Sequence, residues 1–220
     1  MVEVGKIDKP EAEGFREKKK IYLVPLIFCG KDAPQDYVSH FENYWDSILS
    51  HLQNLEQKIG KVNRVYHEFV SISGEEALGE VEKMNQGSYR VAKDKCDQGA
   101  ILEATENKSV MEESLDWQRC FMIGLMSDKA REIVSEFYLE ATTKRYQDIA
   151  QKVEETLKEG ETGLLLISEN HHIQFPENLE VFNVFPPELD LIHRFIRDWR
   201  KEEKVEREEK PEKETKGGEG

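Results

Sequence analysis

The chain has 220 residues, 38% of them hydrophobic, and a formal net charge of -14, so it can build one substantial core or two small ones. Residues 1–20 hold six basic and five acidic groups and residues 201–220 hold six and eight, which leaves 19 basic against 32 acidic groups between them. Acidity concentrated in the folded part repels phosphate backbones and argues against nucleic acid as a direct electrostatic partner.

Residues 1–19 lack an apolar pattern and residues 201–220, KEEKVEREEKPEKETKGGEG, form a charge run. Both are expected to be disordered tails. IYLVPLIFCG (21–30) is a continuous apolar run ended by Gly30, the pattern of a strand covered on both faces. Pro25 lacks the ladder N–H, which predicts an edge position or a bulge. Asp32 and Pro34 open a helix that runs to Gly60. Along it Val38, Phe41, Trp45, Ile48, Leu52, Leu55 and Ile59 alternate at spacings of three and four, an a/d heptad. Such a stripe suits packing within the chain. It also suits an interface, made of Val38, Phe41, Trp45, Ile48, Leu52 and Leu55, for a protein partner or a second copy. His40 and His51 stand about 16 Å apart on this helix, too far to share a metal.

RVYHEFVSI (64–72) alternates as a second strand, with Tyr66, Glu68, Val70 and Ile72 on one face and Val65, His67 and Phe69 on the other. Ser73 and Glu76 form an S-x-x-E capping box ahead of a short helix to Met84. Residues 85–107 mix polarities around two glycines and read as helical turns about a loop, with Glu103 and Glu106 on a solvated face. Ser109 and Glu112 repeat the box before a helix over MEESLDWQRCFMIGLM (111–126), where Trp117, beside Asp116 and Arg119, is a further interface candidate. Ser127 or Asp128 caps a helix of about 30 residues, roughly 45 Å, ending at Gly160. GLLLIS (163–168) and NLEVFNVF (178–185) are two buried strands, and Pro186-Pro187-Glu188 starts a helix to Trp199. The layout predicts one α/β domain over residues 20–200, with a mixed sheet of about four strands, several helices of which two are long, and a helical insertion at about 74–160.

No GxxxxGK[ST], no GxGxxG after a strand, no HExxH, no GxSxG and no Asp-rich EF-hand loop occurs. No motif therefore indicates a cofactor, and the familiar nucleotide-binding, zinc-protease and serine-hydrolase signatures are missing. One local cluster carries chemistry: Glu169, His171 and His172, with Asn170, just beyond the strand ending at Ser168. Sheets of this class gather ligands beyond strand ends, and imidazole with carboxylate suits zinc or iron. Adjacent side chains of an extended backbone point opposite ways, so at most one of His171 and His172 joins Glu169 on one ion. Cys29, Cys96 and Cys120 are odd in number, widely spaced and outside any CxxC, which fits a reducing compartment. No apolar run approaches the roughly 20 residues of a membrane helix. The expected location is the cytoplasm, without a membrane partner.

From Gly163 to Leu191, the buried strand, polar loop, second strand and proline-started helix resemble the C-terminal α/β domain of archaeal and eukaryotic peptide chain release factors and their ribosome-rescue relatives. The resemblance covers less than a fifth of the chain, and the Gly-Gly-Gln tripeptide that those proteins use for peptide release does not occur. It implies a translation-linked factor and carries over no residue. The residues themselves point first to a non-enzymatic protein-binding or scaffold protein that self-associates through the heptad-patterned helix. The alternative is an enzyme, or a metal- or ligand-binding protein, with its site beyond Ser168.

Overall fold

In the computed structural model, which describes residues 17–209 and side chains to residue 202, the elements in chain order are β1 (Lys19–Pro25), α1 (Gln35–Lys58), β2 (Val62–His67), α2 (Glu75–Met84), α3 (Gln86–Asp97), β3 (Ile101–Leu102), α4 (Lys108–Met122), α5 (Asp128–Thr156), β4 (Thr162–Ile167), β5 (Leu179–Asn183) and α6 (Pro187–Glu209). The strands form one sheet of order β3-β2-β4-β1-β5 in which every pairing is parallel. The two most apolar runs of the sequence, β1 and β4, are neighbours inside it. Their alternate side chains supply two cores. Tyr22, Val24, Leu164 and Leu166 face α1, α2, α3 and α6, while Ile21, Leu23, Leu165 and Ile167 face α5.

The sheet is parallel throughout where a mixed one was expected. It has a fifth strand, β3, only two residues long, in the stretch read as a loop. The same stretch holds α3, which starts where the Asn85 side chain accepts the Ser88 N–H. Pro25 is neither at an edge nor at a bulge. It is the last residue of an inner strand: the next N–H, from Leu26, goes to Ile167 on β4, so the missing donor faces β5, whose pairing with β1 has ended at Asn183. Ser73 makes no capping box, because Gly74 at φ 79° precedes α2 and no side chain caps that helix. Asn107 caps α4 and Ser127 caps α5. The N-terminal tail expectation lies outside the described residues up to residue 16. At the other end α6 continues past Trp199 to Glu209, since Lys, Glu and Arg are good helix formers; the remainder of that tail lies outside the described residues.

The heptad of α1 is buried within the chain. Trp45, Ile48 and Leu52 have no exposed surface, and Val38, Phe41 and Leu55 are half-buried, Phe41 edge-on to Trp45. Trp45, Ile48 and Leu52 of the expected interface are thus covered within the chain, while Val38, Phe41 and Leu55 keep part of their surface. Packing is closest where α3 crosses α1. A Cβ built on Gly87 would stand 2.1 Å from the Trp45 indole, so only glycine fits. Gly87→Ala is expected to lower stability by about 1–3 kcal/mol through overpacking, measured by urea unfolding; an unchanged midpoint would contradict this contact.

Candidate functional site

The carboxyl ends of β2, β3 and β4 converge on Arg145, in the middle of α5. Its guanidinium binds the Glu106 carboxylate twice, Nε to Oε2 and Nη2 to Oε1, both at 2.6 Å, and reaches Glu68 Oε1 at 3.1 Å. All three side chains are at least nine-tenths buried. The other Glu68 oxygen accepts the Ser168 N–H at 2.7 Å and the Ser168 hydroxyl. Glu106 Oε1 also accepts the Phe69 N–H at 2.7 Å. Burial pushes the Glu68 pKa up, while Arg145 and Ser168 hold it down. This bidentate, fully hydrogen-bonded arrangement is what makes buried charges tolerable.

The chain turns sharply over this triad. Phe69 sits at φ 70°, the left-handed region that bulky residues avoid. Its neighbours hold it there: the Arg145 guanidinium lies 4.9 Å over its ring and Phe28 meets it edge-on at 6.2 Å. Next to it, His67 is buried between the Glu68 carbonyl and the Ser88 hydroxyl, 2.9 Å from Nε2. Burial drives its pKa down to about 4, so it is a neutral core histidine at neutral pH.

Beyond β1 and β4 the sheet changes direction. β1 leads through α1 toward β2, and β4 leads the other way to β5, which makes the crevice beyond these neighbouring strands the topological switch point. Glu169 projects there and meets His193 of α6, Oε2 to Nε2 at 2.8 Å, with both groups partly exposed. Beneath them Tyr44 donates to the Pro25 carbonyl at 2.6 Å, and burial with the nearby Glu169 carboxylate raises its pKa.

The residues proposed for a metal do not come together. His171 Nδ1 accepts the Ile173 N–H at 3.3 Å, and burial followed by its neighbour His172 lowers its pKa. His172 lies edge-on to Tyr146 of α5. Among the described residues no group of three His, Cys, Asp or Glu side chains is placed to hold a metal ion. Glu169 does have a distant partner, but it is a histidine 24 residues away that no local spacing announces. Glu103 and Glu106, read as a solvated face, are both paired, Glu103 with Arg64 and Glu106 with Arg145.

Trp117 stacks on Phe137 of α5 at 4.9 Å, within an antiparallel pair formed by α4 and the first half of α5. This hairpin leaves the sheet. The buried residues of α5 begin at Ala141, and those of α4 are Val110 and Ser114. At its turn Met122, Ile123 and Met126 are 81%, 75% and 97% exposed, and Leu139 stands exposed on its flank. No helix among the described residues is long and apolar enough to cross a membrane. No protein-family model, curated protein or solved structure matches the chain. The likeness of residues 163–191 to release factors therefore rests on the order β4, loop, β5, α6 alone.

Arg145→Met should cost about 3–5 kcal/mol near neutral pH, because it strands two buried carboxylates. Glu68 already has a folded-state pKa above its unfolded value of 4.5, so its contribution is whole below that value and is lost as pH rises. Removing Arg145 raises that pKa further. The deficit of the variant should therefore shrink as pH is lowered toward 4.5, as followed by urea unfolding; a deficit that is constant or grows would contradict the triad.

Proposed function

We propose that the chain is a non-enzymatic protein-binding protein whose interaction element is the α4–α5 hairpin. The observation that supports this most is the exposure of Met122, Ile123 and Met126 at the turn. Contiguous exposed apolar side chains mark interaction sites, and methionine adapts to irregular apolar surfaces. The hairpin also has no buried residue between Ser114 and Ala141, while the body behind it is anchored by the buried triad.

Charge narrows the partner. From Arg119 to Arg131 there are three basic residues against one acidic residue, Asp128, in a chain of net charge -14. A basic rim around an apolar tip fits a protein groove that is apolar inside and acidic at its edge. Tip-to-tip pairing of two copies sets like charges against each other, so a different protein is favoured over self-association at this element.

A photo-crosslinking residue at position 126 should give a discrete protein adduct in cells, and Arg131→Glu should suppress it. The same probe at Gln57, at the far end of α1, should not give it. No adduct from position 126 above the Gln57 control, or one indifferent to Arg131→Glu, would contradict the proposal. An adduct to the chain itself would replace it with self-association.

A second reading follows from the Glu169–His193 pair. A carboxylate that orients an imidazole at a sheet's switch point is an arrangement used for general acid–base chemistry. If it acts so here, hydrolysis of simple aryl esters or aryl phosphates by the purified chain is lost in both Glu169→Gln and His193→Gln. Turnover that survives both substitutions would remove this reading.

A further inference from the structure

A cleft of about 450 Å³ opens between the β1–α1 connection and the middle of α6. It lies beyond the carboxyl end of β1, beside the switch point, where open parallel sheets take their ligands. Its volume falls within the roughly 300–1,000 Å³ of small-molecule sites. Three aromatic side chains, Phe28, Tyr37 and Trp199, form its walls. They are held in place: Tyr37 donates to the Phe28 carbonyl at 2.8 Å, and Phe195 packs between Tyr37 and Trp199 with ring centroids 5.6 and 5.7 Å away.

Lys31 and Arg200 also line the cleft, with Asp32 as the acidic group among its lining residues. Neither cation makes a salt bridge to another described residue. Two cations facing one carboxylate is the reverse of the balance in a chain of net charge -14. The N-terminus of α1 lies at the same end, and Pro34 before it supplies no side-chain cap, so first-turn N–H groups remain available to an anion.

We infer that this cleft binds a nucleoside phosphate. The aromatic walls take the flat base, whose face stacks on any aromatic ring. Lys31 and Arg200 take the phosphate by charge-assisted hydrogen bonds. Asp32 accepts from sugar hydroxyls. The chain has no glycine-rich phosphate loop, so side-chain cations carry the role that backbone N–H groups fill in those loops. This site is separate from the hairpin and from the Glu169–His193 pair, and it requires no reaction.

Titration calorimetry on the full chain with AMP, ADP, adenosine and inorganic phosphate tests this. One site is expected for AMP and ADP, with weaker binding of adenosine and of phosphate. Lys31→Glu, Arg200→Glu and Trp199→Leu should each weaken AMP by about tenfold or more. Lys58→Glu, at the opposite end of α1, should leave it unchanged. Absence of binding of AMP and ADP at about 1 mM would overturn the inference. So would binding that none of the three cleft variants alters. Inorganic phosphate binding as tightly as AMP would reduce the cleft to an anion site and also overturn it.

Discussion

Two glutamates at the ends of neighbouring strands are buried, and a single arginine makes that possible. Arg145 comes from α5, Glu68 from the end of β2 and Glu106 from the segment after β3, while Ser168 completes the shell from the end of β4. The arginine thus ties the long helix to three strands at once. An unpaired carboxylate at such depth costs several kcal/mol, so each partner depends on the others. The strained turn at Phe69 persists for the same reason, since its N–H and its ring both bind members of the triad.

The triad also divides α5 into two parts with different roles. From Ala141 onward the helix carries Tyr146, Ile149 and Val153 into the sheet. Before that point it has no buried residue, and its rings meet α4, Phe137 stacking on Trp117 and Tyr138 meeting Phe121 edge-on. A projecting hairpin with an apolar tip needs a rigid root, and the root here is the buried ion network together with the apolar face that the second half of α5 lays on the sheet. The Ser114 and Thr142 hydroxyls, 3.3 Å apart, mark where the hairpin leaves the body.

The strands with continuous apolar runs, 21–25 and 163–167, were legible in the sequence because burial on both faces leaves no room for polar residues. The long helices were legible from their stripes and from caps such as Ser127. β3 was not, because two residues carry no periodicity. The triad was hidden by distance: Glu106 and Glu68 lie 39 and 77 residues from Arg145 in the chain. One signal existed. Glu68 falls among Tyr66, Val70 and Ile72 on an alternating face, and a carboxylate in that company requires a cation. The histidine pair at 171 and 172 drew attention because it is local, whereas the side chain that meets Glu169 is His193, which only folding brings near.

The claim that Arg145 separates an anchored body from a free hairpin is tested most directly by hydrogen exchange across the full chain. Amides of β2, β4 and residues 146–156 should share the highest protection, set by global unfolding, and residues 117–137 should exchange earlier through local opening. Equal protection of the hairpin and the sheet would contradict the account, as would early exchange of residues 146–156 together with the hairpin.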